Sequence, residues 1–400
     1  MRILLCTGKG GVGKTTLAAA TGAALAARGR KTLVVSTDPA HSLGDAFGHP
    51  LGADPSEVDI QAQLGGPAGR APRPGSGAWP QMTQLSGVQV DSRTLVDATW
   101  ERLRADLRAV LAGAGLDTLD AEELTVLPGI DELLALTEVR RLAEDGPWET
   151  VVVDCGPTAE TLRLLALPEA VSGYLTRVFG PRGRVTDSVR RLGAHLDGLR
   201  ALLTNPAVTT VRLVLTPERV VVAEARRTLS ALALRGIAVD GVIANRLMPA
   251  PGFWRGGAAT WLRTRRAQQD AVLAELAAAG IAPVARVEHR AVEPVGLPAL
   301  LEIAAELYRG EDPLAGNGTP VTPLLRVRPA TGGYTLRVAI PLARDAEVDL
   351  ARVDDDLAIT VDGFRRLIAL PEPLRPCRIT GAESDADGLV VHLAGNRGRG

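Results

Sequence analysis

The sequence predicts an α/β chain: a doubly wound parallel sheet over residues 1–308, then an all-β sandwich over residues 324–393. Two observations predict the first part. Short Val-, Leu- and Ile-rich runs with little polar alternation recur at 2–6, 32–36, 150–154, 211–215 and 241–244, as expected of strands buried on both faces. Between them lie Ala/Leu/Arg segments with helical spacing, at 14–28, 95–113, 219–235 and 265–279, so strand and helix alternate as in an open α/β sheet. A third observation predicts the sandwich. Past residue 323 the helical rhythm stops, and short β-rich runs follow at 324–328, 334–340, 348–353, 357–361, 364–370, 375–380 and 388–393, separated by turn residues.

In chain order, Ile3-Leu4-Leu5-Cys6 forms the first strand, too short and too soon broken by glycine for a signal peptide. The apolar run 17–27 contains Gly22 and falls short of the ~20 residues of a membrane span. Residues 65–80 (GGPAGRAPRPGSGAWP) are too poor in large apolar side chains to offset their ordering entropy and are expected to be a mobile loop. The segment 309–323 (RGEDPLAGNGTPVTP) reads as a linker. With apolar residues at 46% and aromatics at only 3%, the chain can fill a core, but that core must rest on Leu, Val and Ala. A net charge of −1 gives no general attraction to nucleic acid or to an anionic membrane surface. Cys6, Cys155 and Cys377 lie far apart with no CxxC pair. That pattern points to reduced, buried thiols in a cytoplasmic protein rather than a disulfide scaffold or a zinc knuckle.

The stretch that carries chemistry is Gly8-Lys9-Gly10-Gly11-Val12-Gly13-Lys14-Thr15-Thr16. It lies between a predicted strand and a predicted helix, the context a phosphate-binding loop requires. Glycines let backbone N–H groups turn inward around a β-phosphate, where side chains would clash. The helix N-terminus adds the positive end of its dipole. Lys14 is expected to reach the β- and γ-phosphates, Thr15 to complete the shell of a Mg²⁺ ion, and Thr16 to contact the α-phosphate. ATP and Mg²⁺ are therefore the expected cofactors, and ATP hydrolysis the expected activity. Lys9, directly after the first glycine, marks the deviant form of this loop. Its side chain is awkwardly placed to curl back onto its own phosphates, whereas a lysine from a facing subunit would neutralise charge in the transition state.

GKGGVGKTT, followed by STDPAHSLGDAF at 36–47, resembles the family of the arsenite-pump ATPase ArsA and of the ATPase that guides tail-anchored membrane proteins. The resemblance continues through PGIDELLALTEV (128–139), VVVDCGPTAETLRLLALP (151–168), ANRLMP (244–249) and VEPVGLPALLEIAAELY (292–308), and so spans nearly all of residues 1–308. It implies that Asp38 orients or deprotonates the attacking water. It implies that Asp154 faces the metal through water, that Pro157 lies among the nucleotide-binding residues, and that Asn245 reads the adenine edge. His41 and Ser42 shape the Asp38 segment rather than perform chemistry.

Two departures bear on function. The family's Pro-Thr-Gly-His-Thr is here Pro157-Thr158-Ala159-Glu160-Thr161. The change removes the freedom of a glycine and reverses the sign of the charge available. The absence of clustered cysteines puts both an interfacial zinc and a thiolate arsenite site in doubt. Cys155, beside Asp154, is a satisfied core thiol or a redox-sensitive one.

The resemblance also bears on partners. The signature loop occurs once, so a Lys9 acting across an interface requires a second copy of the chain, a homodimer. In the targeting ATPases, helices build an apolar groove for a transmembrane segment; the corresponding region here is about 81–130 and 163–207. Apolar stretches at 162–167 and 171–179 and the basic, Leu-spaced helix at 184–203 suit such a groove for hydrophobic client helices. Plain core packing would give the same pattern. With only three methionines in the chain, a Met-lined adaptable surface is not expected. GGYTLRVAIPL (332–342), DDLAITVDGFRRLIALPEPL (355–374) and ADGLVVHL (386–393) resemble the α-crystallin domain of small heat-shock proteins. The resulting expectation is an ATP-driven targeting factor or chaperone for membrane-protein helices, working with a membrane receptor and not with nucleic acid. The alternatives are the ATPase subunit of an arsenite-type anion transporter and a nucleotide-gated scaffold with little hydrolysis.

Overall fold

The computed structural model describes residues 1–38, 42–60, 63, 84–90, 105, 130–158, 161, 165, 187–250, 252, 255–278, 283–315, 325–330, 333–338, 347–353, 356–370, 374–385 and 388–394. These fall into two units, Met1–Val214 with Arg290–Asn317 and Leu215–His289 with Gly318–Gly400. The elements of the first are β1 (Arg2–Gly8), α1 (Lys14–Ala26), β2 (Thr32–Ser36), α2 (Ser42–Phe47), β3 (Ser56–Glu57), β4 (Leu85–Gln89), α3 (Ile130–Asp145), β5 (Thr150–Pro157), α4 (Asp187–Thr204) and β6 (Thr209–Leu215). Those of the second begin with α5 (Arg219–Leu234), β7 (Val239–Leu247), α6 (Gly257–Ala278) and β8 (Val284–Glu288), after which α7 (Leu297–Tyr308) returns to the first unit.

In the first unit the strands run in the order β3-β4-β2-β5-β1-β6. The pairs β1–β5, β1–β6, β2–β4 and β2–β5 are parallel, and β3 alone joins antiparallel. Ile3, Leu4, Leu5, Leu33, Val34, Val35, Val151, Val152, Val153 and Val211 are all buried, as continuous apolar strands covered on both faces must be. α1 is buried along almost its whole length, and its run of alanines lets both the sheet and α7 pack against it. One polar chain threads this interior. Arg212 of β6, 6% exposed, donates to the Tyr308 hydroxyl at 2.9 Å and to the Pro313 carbonyl at 2.8 Å. The Thr21 hydroxyl donates to the Leu17 carbonyl at 2.6 Å, so across the 2.6 Å Tyr308–Thr21 contact the tyrosine is the donor.

In the second unit β7 and β8 pair in parallel. The chain then forms β9 (Leu325–Ala330), β10 (Gly333–Val338), β11 (Val348–Val353), β12 (Asp356–Val361), β13 (Phe364–Ala369), β14 (Arg378–Asp385) and β15 (Gly388–Ala394). They make two antiparallel sheets, β14-β15-β10-β9 and β11-β12-β13. Alternate residues, Leu336 and Val338 of β10, Leu357, Ile359 and Val361 of β12, and Leu389, Val391 and Leu393 of β15, point into a shared core. Leu234, at the end of α5, enters the same core.

The α/β order and the C-terminal strands follow the sequence reading closely, with three differences. Residues 85–89, at the start of the stretch expected to supply groove helices, form a fully buried strand. β3 and β8 had no counterpart in the reading. α6 begins at Gly257 rather than near 265, directly after Gly256 at φ 105°. The expected mobile loop at 65–80, the helix at 95–113 apart from Ala105, most of the groove segment between 91 and 129, the apolar stretches at 162–179 except Leu165, and Ala159 and Glu160 lie outside the described residues. Among the described residues no helix is long and apolar enough to cross a membrane.

Candidate nucleotide site

The site gathers at the carboxyl ends of β1, β2, β4 and β5, where open α/β sheets bind ligands. β1 ends at Gly8, whose position admits no side chain: a Cβ there would lie 2.0 Å from the Val214 carbonyl oxygen. The loop then turns through Gly11 at φ 79° and Gly13 at φ 91°, left-handed angles that glycine adopts without strain. Val12 is buried and anchors the loop, while Lys9, Gly10 and Gly11 are exposed. Gly13 caps α1 with no side-chain hydrogen bond, so the first N–H groups of the helix keep their capacity for an anion. Lys14, the first residue of α1, is 5% exposed, and Thr15 and Thr16 are half-buried.

β2 delivers Ser36 and, just beyond it, Asp38; β5 delivers Asp154 and ends at Pro157, which pairs in register with Gly8. Asp154 is fully buried, and its Oδ1 makes no hydrogen bond. Burial pushes its carboxyl up to a pKa of about 7; the Thr15 hydroxyl and the Lys14 ammonium pull it down, Asp38 pushes it up, and Ser36 lowers it slightly. The Ser36 hydroxyl donates to Asp154 Oδ2 at 3.4 Å and accepts the Asp38 N–H at 3.3 Å. Gln89, at the end of β4, donates through Nε2 to the Asp38 carbonyl at 2.9 Å. Thr15 Oγ lies 3.1 Å from Ser42 Oγ, tying the first turn of α1 to α2. Below the loop, Thr7 donates to Thr161 Oγ at 2.9 Å, and Thr161 donates to the Gly156 carbonyl at 3.0 Å.

The structure thus brings Lys14, Thr15, Asp38, Asp154 and Pro157 together around one loop. Asn245 belongs to the second unit, half-buried near the end of β7 and followed by Arg246 at φ 59°. Ser36 and Gln89 were missed. Their signal was positional: each is the last residue of its strand, and both pair across β2, yet a lone Ser or Gln at a strand end reads as an ordinary turn former. Cys155 is resolved toward the inert reading. It is fully buried, and burial, the neighbouring Cys6 and the Asp154 and Asp38 carboxylates together hold its thiol protonated.

A Mg²⁺ ion fits what is present. A hard cation takes oxygen ligands, often one or two carboxylates plus phosphate oxygens and water. Here an unsatisfied buried carboxylate oxygen faces a threonine hydroxyl and a lysine at the mouth of an anion-binding loop.

The chain matches the anion-transporting ATPase family over residues 1–65, 80–197 and 182–309. It matches the HSP20-like domain found in ArsA over residues 331–393. It is 36% identical to "Protein Rv2184c" of Mycobacterium tuberculosis, across 99% of this chain and 96% of that protein. It is 30% identical to a putative arsenical pump-driving ATPase of Chlorobaculum tepidum, across 94% and 91%. Against ATPase GET3 of Malassezia globosa the identity is 26%, across 69% and 81%.

Proposed function

This chain belongs to the anion-transporting ATPase family and is an ATPase, and from that premise we propose that it is a dimeric ATPase whose nucleotide state gates a groove for hydrophobic helices. The observation that carries the chemistry is the buried Asp154, with one oxygen unsatisfied beside Lys14 and Thr15. In this reading the amides of Gly8, Gly10, Gly11, Val12 and Gly13 surround the β-phosphate, Lys14 bridges the β- and γ-phosphates, and Thr16 meets the α-phosphate. Thr15, with Asp154 and Asp38 acting through water, would hold Mg²⁺, which would supply charge neutralisation on the phosphate oxygens. Asp38 orients the attacking water and accepts its proton. Lys9 of a second copy stabilises charge on the transferring phosphoryl group. Asn245 and Pro157 contact the nucleoside. The domain division that goes with this reading is an ATPase domain over 1–308, a linker over 309–323 and the β-sandwich over 324–393. The sandwich either covers hydrophobic clients or stabilises the fold.

A second reading, an anion-pump motor, has the relatives named as arsenical pump-driving ATPases in its favour. Against it, all three cysteines are buried, and the Cys155 thiol is held protonated. Two measurements separate the readings. Purified protein is loaded with a transmembrane-helix peptide, and its retention is followed in ATP, ADP and no nucleotide; ATP turnover is then measured with and without arsenite. Nucleotide-dependent retention with no arsenite response is the expected result. Arsenite stimulation without peptide retention in any nucleotide state would replace the first reading by the second.

A further inference from the structure

Gln89, Ser36 and Asp154 stand in one row across the sheet of the first unit. Ser36 of β2 pairs in register with Gln89 of β4 on one side and with Asp154 of β5 on the other. Register partners in a parallel sheet project from the same face, so the three side chains emerge side by side. All are buried, at 5%, 0% and 0% exposure. The row converges on Asp38, two residues past the end of β2. Gln89 Nε2 donates to the Asp38 carbonyl at 2.9 Å, the Asp38 N–H donates to Ser36 Oγ at 3.3 Å, and Ser36 in turn donates to Asp154 Oδ2 at 3.4 Å. The main chain of Asp38 is thereby held at both its N–H and its C=O.

The other half of the Gln89 amide makes the arrangement informative. Its Oε1 is buried with no hydrogen-bond partner among the described residues. A buried, half-satisfied amide is less favourable than an apolar side chain of the same volume, and on its own face of β4 the other side chain is that of Leu85, buried and apolar, with Gly87 between them. Packing of β4 therefore gives no reason for glutamine at its end. The amide half that is used is the one that touches Asp38.

We propose that Gln89 is a positioning residue for ATP hydrolysis, fixing the Asp38 main chain so that the Asp38 carboxyl is presented to the attacking water. The inference rests on the catalytic reading of Asp38 given above. Gln89 itself touches neither substrate nor metal. It acts by restricting where a neighbouring carboxyl points, and errors of about 1 Å in such placements cost on the order of 100-fold in rate.

The test is steady-state ATP turnover in Gln89→Met, Gln89→Glu, Asp38→Asn and the double variant Gln89→Met/Asp38→Asn, with ADP affinity and melting temperature measured for each. Methionine keeps the volume and removes the donor; glutamate keeps the shape and cannot donate to a carbonyl once ionised, so Gln89→Glu is compared with wild type at alkaline pH, where its buried carboxyl has lost its proton. Both Gln89 variants are expected to lose on the order of 10- to 100-fold in kcat, while ADP affinity changes by less than about threefold. The double variant is expected to be no slower than Asp38→Asn alone, because a residue acting only through Asp38 then has nothing left to position. A merely structural role would instead make the two losses multiply, and that result overturns the proposal. So does a folded Gln89→Met enzyme with wild-type kcat while Asp38→Asn is inactive, which leaves the reading of Asp38 intact. An Asp38→Asn enzyme with undiminished kcat removes that reading, and this inference with it. If Gln89→Met does not fold, Gln89→Glu decides by the same criteria.

Discussion

At the scale of single residues, Asp154 sets a pH dependence whose sign can be worked out. Its carboxyl is raised in the folded chain from the ordinary value of 3.8 to about 7. Between those values the folded state therefore binds a proton that the unfolded state has released. The stability tied to this proton is fully present below about pH 4 and is lost as pH rises through 7. Its upper limit is roughly 4 kcal/mol, because each tenfold difference in proton affinity between the two states is worth about 1.4 kcal/mol. Asp154→Asn removes the titrating group. Without nucleotide or metal, thermal melts of wild type should lose stability between about pH 4 and 7, and the Asn variant should lose less. Equal slopes would mean that Asp154 is already ionised in the resting protein. The same residue shows what sequence reading reaches. Asp154 and Lys14 were legible because a strand, a glycine loop and a helix surround them in a known order. Ser36 and Gln89 were not, because their meaning comes from lateral register: residues 36, 89 and 154 become neighbours only once β2, β4 and β5 are placed side by side.

At the scale of elements, the helix of the phosphate loop is held from behind by the buried chain Arg212, Tyr308, Thr21 and Leu17. It links β6, α7 and α1, and each hydroxyl both accepts and donates, so the bonds polarise one another. Tyr308→Phe deletes the central hydroxyl. The Arg212 guanidinium keeps its bond to the Pro313 carbonyl but loses the Tyr308 hydroxyl as an acceptor while staying buried. A loss of about 1–3 kcal/mol is expected, read as a lower urea midpoint at unchanged slope. A change below about 0.5 kcal/mol would mean that water replaces the hydroxyl. None of these bonds was legible in the sequence, whereas the elements they join mostly were. Strands such as 150–154 and 348–353 announce themselves by apolar runs or alternation. β4 (LSGVQ) and β8 (VARVE) carry Gly, Ser, Arg or Gln inside the run, so their composition resembled the loops around them. Neighbouring strands, not local propensity, make them strands.

At the scale of the whole molecule, the proposed dimer turns on whether Lys9 serves its own site or its partner's. Lys9 is exposed on the loop while Lys14, five residues on, is buried, so the two lysines face different surroundings. Lys9→Ala and Asp38→Asn are each expected to cut turnover to a low residual rate alone. Mixing them distinguishes cis from trans without any structure of the assembly. In a mixed dimer, the Lys9→Ala protomer keeps its own Asp38 and receives an intact Lys9 from the other copy, so its site is complete if Lys9 works across the interface. The Asp38→Asn site is then dead on both counts. If Lys9 works in cis, each site in the mixed dimer lacks one essential group and both are silent. Random exchange of equal amounts puts about half of the dimers in the mixed form, each with one live site, and should restore about a quarter of wild-type turnover. Recovery should rise with the time allowed for subunit exchange and should vanish when the variants are separately cross-linked before mixing. A mixture that stays inactive after full exchange would place Lys9 beside its own nucleotide, and the requirement for a second copy in catalysis would fall with it.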